Sequence, residues 1–315
     1  MDGKHTIVVA LGGNAILQPY QEGTLENQME NLTLTSGALA GLVAAGHRLT
    51  ITHGNGPQVG AILLQNEASK DQVPPMPLDV CGAKSQGMLG YLFQQSLINA
   101  LNHRGLNRVV ATVVSQVIVN PHDPAFQNPT KPVGPFYSEE GARALARDKG
   151  YQMREDAGRG WRRVVPSPDP VGIVESPAIS TLVDAGVIVI AAGGGGAPVR
   201  REASGLLAGV EAVIDKDLAG QRLAKDLKAD GFIILTDVEG AYINYGTPRQ
   251  QLLRQVSLAE IERYQEEGHF RAGSMGPKVE ACLRFIREGG EYAIISSISK
   301  VAESVAGTAG TRITK

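Results

Sequence analysis

The chain has 315 residues, 43% of them hydrophobic, enough to bury a large core in one α/β domain with or without an insert. Its 30 basic and 32 acidic residues are spread along the sequence and leave a net charge of -2, which excludes the basic stripe of a nucleic-acid binder and makes any phosphate recognition local. Cys81 and Cys282 stand far apart and outside any metal-ligand spacing, no apolar run approaches the roughly 18 residues of a membrane span, and the N-terminal run breaks at Gly12-Gly13 instead of a cleavage site, so a cytoplasmic chain without disulfides or membrane contact is expected.

In chain order, strand-like runs alternate with helix-like ones, the pattern of a mostly parallel sheet covered on both faces and joined by right-handed crossovers. Ile7 to Leu11 reads as a first strand, Glu26 to Ala45 as a helix closed by Gly46, and Leu49 to Thr52 as the next strand. Ser85 to His103 reads as a helix closed by Gly105, and Val109 to Val119 as one long strand. The stretch Asn120 to Pro170 breaks this rhythm. It is rich in Pro, Gly, Arg and Asp, holds the only tryptophan, Trp161, and reads as a small inserted subdomain, because surface loops of that length are uncommon unless they bind or cover something. Val187 to Ala191, Phe232 to Thr236 and Tyr292 to Ser296 resume the strands, with helices at Leu218 to Leu227 and Pro277 to Glu288. The expectation is a single α/β domain over residues 1–315 carrying an insert at 120–170.

Three of the strands run directly into glycine: Gly12-Gly13-Asn14, His53-Gly54-Asn55-Gly56, and Gly193-Gly194-Gly195-Gly196. Glycine lets a ligand approach the backbone, and a helix starting after the loop adds its positive dipole end, so each loop suits an anion. A tight turn alone also requires glycine, but several such loops on one chain point to a larger, polyanionic ligand. No GxxxxGK[ST] is present, and the GxGxxG frames fail at the third glycine, where Val59, Pro198 or Val199 stands.

Lysines occupy suggestive places. Lys278 follows Pro277 in the first turn of a helix, where the dipole disfavours a cation unless an anion is near. Lys216 lies between Asp215 and Asp217 just before a helix; Asp217 reads either as an N-cap or as a carboxylate that keeps the lysine charged for a phosphoryl group. Asp237 closes a strand at the edge where open α/β sheets bind ligands, although a turn aspartate reads the same way. Lys131 is held between Pro129 and Pro132 in a stiff segment of the insert, a preset cation on a lid. Arg159, Arg162 and Arg163 near Asp156 read as a solvated or ion-paired face in preference to a phosphate site, and His53 as an ordinary polar residue.

The blocks Val9 to Ala15, Thr52 to Gly60, Asn128 to Phe136, Asp156 to Gly160, Arg163 to Pro168, Ala192 to Gly196, Gly209 to Asp217 and Gly273 to Lys278 together resemble carbamate kinases of the amino acid kinase superfamily, end to end. Two positions depart from the family pattern: Lys84, where an apolar residue is usual, and Ala272, where proline is usual.

The resemblance implies a three-layer αβα sandwich of about eight strands with a protruding subdomain, a homodimer, and reversible phosphoryl transfer between carbamoyl phosphate and ADP with Mg²⁺. It further implies that Gly12, Gly13, Asn14, Gly54 and Asn55 bind the carbamate and phosphoryl groups, and that Lys131, Lys216, Asp217 and Lys278 are catalytic. Lys216, Asp237, Tyr242, Met275 and Lys278 would meet the nucleotide. Carbamate is already an anion, so the protein's task is to align two repelling anions and neutralise the transferring group, without a general base. Two alternatives stay open at this level: a family member phosphorylating another small acid, and a nucleotide-binding regulator without catalysis.

Overall fold

Short apolar strands that alternate sides can bury both faces of a sheet, and here each face is covered by helices. The computed structural model describes residues 5–156, 158–270 and 274–315. In its first half the strands are β1 (Thr6–Leu11), β2 (Arg48–His53), β3 (Val110–Val113), β4 (Gln116–Val119), β5 (Lys131–Tyr137), β6 (Met153–Glu155) and β7 (Trp161–Val165). They continue as β8 (Pro170–Ile173), β9 (Ile188–Ala191), β10 (Ala197–Arg201), β11 (Leu207–Gly209) and β12 (Gly231–Thr236). The last five are β13 (Tyr242–Ile243), β14 (Gln251–Leu252), β15 (Gln255–Ser257), β16 (Tyr292–Ser297) and β17 (Thr311–Thr314). The helices are α1 (Leu25–Ala44), α2 (Gly56–Ser69), α3 (Leu78–His103), α4 (Glu139–Lys149) and α5 (Ser176–Asp184). After them come α6 (Lys216–Asp226), α7 (Leu258–Glu266), α8 (Met275–Arg287) and α9 (Val301–Val305).

The central sheet has eight strands in the order β15-β17-β16-β12-β1-β2-β9-β3, parallel except where β17 meets β16. Period-two alternation divides its side chains into two cores. Ile7, Val9 and Leu11 of β1, with Ile233 and Leu235 of β12, pack against Leu32 and Leu39 of α1 and Leu89, Phe93 and Leu97 of α3. Val8 and Ala10, with Phe232 and Ile234, pack against Leu223 of α6 and Val279, Cys282 and Ile286 of α8. The result is the αβα sandwich anticipated from the resemblance.

Several boundaries differ from the sequence reading. Val109 to Val119 is two strands: β3 closes one edge of the central sheet, and β4 joins a separate four-stranded sheet, β11-β10-β4-β8. The break is held by Gln86 of α3, which accepts from the Ser115 amide at 2.9 Å and donates to its carbonyl at 3.2 Å. Helix α3 starts at Leu78 and not at Ser85, and α8 starts at Met275, which puts Pro277 third in the helix instead of first. Residues 120–170 contain a three-stranded antiparallel sheet, β5-β7-β6, with α4 beside it. Lys131 opens β5 opposite Val165 of β7, so the proline-flanked segment is a strand edge.

Candidate active site

Strands β12, β1 and β2 are neighbours in the parallel part of the sheet, so their carboxyl ends open on the same edge, where the loops leaving them build two adjoining cavities. The larger, about 460 Å³, is lined by Gly12, Asn14, Asp237, Tyr242 and Met275. The smaller, about 340 Å³, is lined by Gly54, Asn55, Lys131, Asp215, Asp217 and Gly194. Gly13, Lys216, Ser274 and Lys278 belong to both walls, so two ammonium groups stand at the boundary between the chambers. Gly12 and Asn14, assigned by the resemblance to the carbamate and phosphoryl groups, line the larger chamber. Gly273 and Ala272 lie outside the described residues.

The two boundary lysines share one carboxylate. Lys216 Nζ donates to Asp217 Oδ1 at 2.6 Å and Lys278 Nζ to Asp217 Oδ2 at 3.3 Å, while the Asp217 side chain is only 3% exposed. This answers the dipole problem at Lys278: Asp217 supplies an anion from within the fold, and the Ser274 carbonyl accepts a further bond at 3.3 Å. Asp217 is not the N-cap of α6, the alternative left open by the sequence. Asp215 holds that position, accepting from the amides of Asp217 at 2.9 Å and Leu218 at 3.4 Å.

The second oxygen of Asp215 accepts from Lys131 Nζ at 2.9 Å. Burial alone would raise the Asp215 carboxyl, but the charge and hydrogen bond of Lys131, with Lys216 nearby, reverse this and hold it at about 2. Asp237 is pinned from two sides, by Thr236 Oγ1 at 2.9 Å and Asn14 Nδ2 at 3.4 Å. Asn55 donates to Ser85 Oγ of α3 at 2.7 Å. A β-carbon on Gly54 would stand 3.3 Å from both the Gly13 nitrogen and Lys216 Cδ, so glycine lets the first two loops and the lysine stem close on one another.

The tetraglycine loop is different. It leads into β10, not a helix, and β-carbons on Gly193, Gly194, Gly195 and Gly196 would collide with His53, Asn55, Ile214 and Val117 respectively. Only Gly194 of the four lines a chamber wall. Its glycines therefore serve close packing beneath the site. His53, unremarkable in sequence, is buried there, and its Nδ1–H donates to the Gly54 carbonyl at 2.9 Å, which braces the second loop. Burial pushes this imidazole below its ordinary value and keeps it neutral.

The arginine cluster takes its plainer reading: Arg159 and Arg162 pair with Asp156 at 3.1 and 3.2 Å, and Arg163 with Glu211 at 2.8 Å. Lys84 is an exposed residue of α3. Sequence reasoning overlooked Ser274, Tyr245 and His269 on the larger chamber, and gave Asp215 no role of its own. The Asp-Lys-Asp spacing ahead of a helix was the available signal for Asp215.

A profile of the amino acid kinase family matches residues 5–297. The chain belongs to the amino acid kinase family. Among relatives with this fold, the carbamate kinase of Thermococcus kodakarensis is 56% identical over 312 residues, covering 98% of this chain and 99% of its own. The carbamate kinase of Giardia lamblia bound to AMP-PNP superposes with a TM-score of 0.94 at 47% identity over the whole of both chains. The Giardia enzyme thiocarbamoylated by disulfiram on a cysteine matches with a TM-score of 0.92 at 46% identity, covering 99% of each chain. Among the described residues, no helix of this amino acid kinase is long and apolar enough to cross a membrane.

Proposed function

We propose that this amino acid kinase moves a phosphoryl group reversibly between carbamoyl phosphate and ADP, giving ATP and carbamate. The observation that carries the reading is the shared wall: two chambers, one large enough for a nucleotide, meet at Lys216 and Lys278. Identity of 56% to a carbamate kinase over nearly the full chain supports carbamate as the small partner.

In this reading ADP lies in the larger chamber along Asp237, Tyr242 and Met275, and carbamoyl phosphate in the smaller one along Gly54, Asn55 and Lys131, with Gly13 at the junction and Gly12 and Asn14 beside it on the larger chamber's wall. Both substrates are anions and repel each other, so the residues' work is alignment and charge neutralisation. Lys216 and Lys278 face the transferring group from both chambers, and buried Asp217 fixes their ammonium groups before the substrates arrive, which avoids reorganisation during reaction. Lys131 enters from the insert, residues 120–170, which acts as a lid.

Mg²⁺ belongs here to the metal–nucleotide substrate, where it offsets charge on the phosphates. Among the described residues no group of three or more His, Cys, Asp or Glu could hold a metal ion, and Asp215 and Asp217 are engaged by lysines. Asp237 is the carboxylate on the wall of the larger chamber that suits a nucleotide-borne metal. The proposal includes a cytoplasmic homodimer: Leu34 of α1 and Met88 and Tyr91 of α3 are exposed on neighbouring helices.

The deciding experiment is ATP formation from ADP and fresh carbamoyl phosphate, with Mg²⁺ and with a chelator. Metal-dependent ATP is expected. Its absence, with turnover on another acyl phosphate, would replace carbamate by a different acid; absence on every acceptor with retained ADP binding would leave the regulator. Sedimentation velocity reads the dimer.

A further inference from the structure

Asp215 sits where an anion is poorly placed. Its carboxylate lines the smaller chamber, and any phosphoryl-bearing ligand there is repelled by it. A helix cap alone does not require that charge, since Ser, Thr or Asn accepts the same amide bonds. What only an ionised carboxylate supplies is the second bond: Oδ2 holds Lys131 Nζ at 2.9 Å across 84 residues of sequence, while Oδ1 holds the first turn of α6. That turn carries Lys216 and Asp217. A single side chain therefore ties the insert's lysine to the helix that presents the boundary charges.

We infer that Asp215 is a positioning residue for Lys131: it aims the ammonium of the insert into the smaller chamber in register with Lys216. This rests on the phosphoryl-transfer reading above. An ammonium has three N–H donors, so Lys131 keeps two for a ligand while Asp215 takes one. Lys131 is otherwise a long, rotamer-rich side chain, and holding it in place before binding removes an ordering cost from each turnover. The Asp215 charge thus lowers affinity for the free anion and raises the rate with which the bound one reacts.

The test is Asp215→Asn, which keeps the cap and removes the charge. Turnover should fall between about 10- and 100-fold, the scale for losing a group that orients a primary one. The KM for ADP should stay within about twofold of wild type, and the variant should unfold cooperatively. Combined with Lys131→Ala, it should cost no more than about twofold beyond Lys131→Ala alone, because the two act through one ammonium group. Trp161 is the only tryptophan and lies in β7, paired with β5, so its quenching by acrylamide in the substrate-free protein reads the insert without any assay of turnover; quenching should increase in Asp215→Asn. Should the Asn variant fail to fold, Asp215→Ser, whose hydroxyl also caps, is measured in its place. Wild-type or higher turnover in the variant, full multiplication of the two single losses, or unchanged Trp161 quenching overturns the inference. An inactive wild-type chain instead overturns the phosphoryl-transfer reading, and the Trp161 measurement still decides whether the tie exists.

Discussion

Gly193 lies directly against the His53 imidazole: a β-carbon there would come within 2.5 Å of ring atoms Cε1 and Nε2. Because the ring is fully buried, nothing nearby can yield cheaply. Gly193→Ala is therefore expected to destabilise the protein by about 1–3 kcal/mol, the range for overpacking. Gly37 on α1 has open space around it, and Gly37→Ala should stabilise by about 0.5–1 kcal/mol. Thermal melts of the two variants should move in opposite directions. Equal shifts would mean that the tetraglycine loop tolerates side chains and that its glycines serve another purpose.

The same histidine sets an acid limit. Burial lowers the folded His53 below its ordinary 6.5, so the unfolded chain takes up a proton there first. Stability is present above about pH 6.5 and is lost as pH falls, by up to about 1.4 kcal/mol per pH unit for one proton. Denaturation of wild type and His53→Gln between pH 7 and pH 5 should give a steeper decline for wild type. Parallel lines would show that His53 charges freely within the fold.

Removing either member of the central pair should abolish rate before fold. Lys216→Ala and Asp217→Ala are each expected to lose about 10²-fold or more in turnover, the scale for one preorganised charge. Circular dichroism checks the fold and a coupled ATP assay the rate. If both variants turn over near wild type, the Asp-Lys-Asp cluster is only the start of a helix.

Binding and chemistry should separate between the insert and the body. Lys131→Ala is expected to depress turnover and leave ADP affinity by calorimetry close to wild type, since Lys131 lines only the smaller chamber. Lys278 lines both, so Lys278→Ala should weaken ADP binding and rate together. Substrates should also protect the stretch 159–163 from trypsin as the lid closes. Loss of ADP binding in Lys131→Ala, with its rate retained at saturation, would make that lysine a nucleotide anchor.

Thiol reagents should be ineffective on the native chain, unlike the Giardia relative modified by disulfiram. Cys81 and Cys282 are fully buried, and burial pushes both thiols up, away from the reactive thiolate. Titration with a chromogenic disulfide should find almost no reactive thiol before denaturation and both after it. Rapid modification of the folded protein would show that one of these sites opens.

The elements legible in sequence were those whose signal is local. The strand cores of β1, β2, β9, β12 and β16 stand out as apolar runs, and the helices before Gly46, Gly105 and Gly289 end at glycines with φ of +94°, +69° and +109°. Non-local contacts decided the rest. Val109 to Val119 looks continuous because nothing within it announces the Gln86 clamp on Ser115. The first turns of α3 are hidden by Gly82, which weakens helix propensity; farther along the same helix Gly90 is needed because a β-carbon would meet Thr112 at 2.2 Å. At the site, the cap falls to Asp215, two residues before Asp217, which keeps the charge-partner reading, and only the fold brings Lys131 beside the first and Lys278 beside the second.

One consequence of the shared carboxylate concerns descent. Lys216, Asp217 and Lys278 sum to a single positive charge in a recessed position, and the three come from two helices far apart in sequence. Substituting the aspartate alone leaves two cations facing each other, and substituting both lysines leaves a buried anion unmatched. Substituting either lysine alone leaves the aspartate in a neutral pair with the other, so a lineage relieved of its chemistry would lose a lysine before it lost the aspartate.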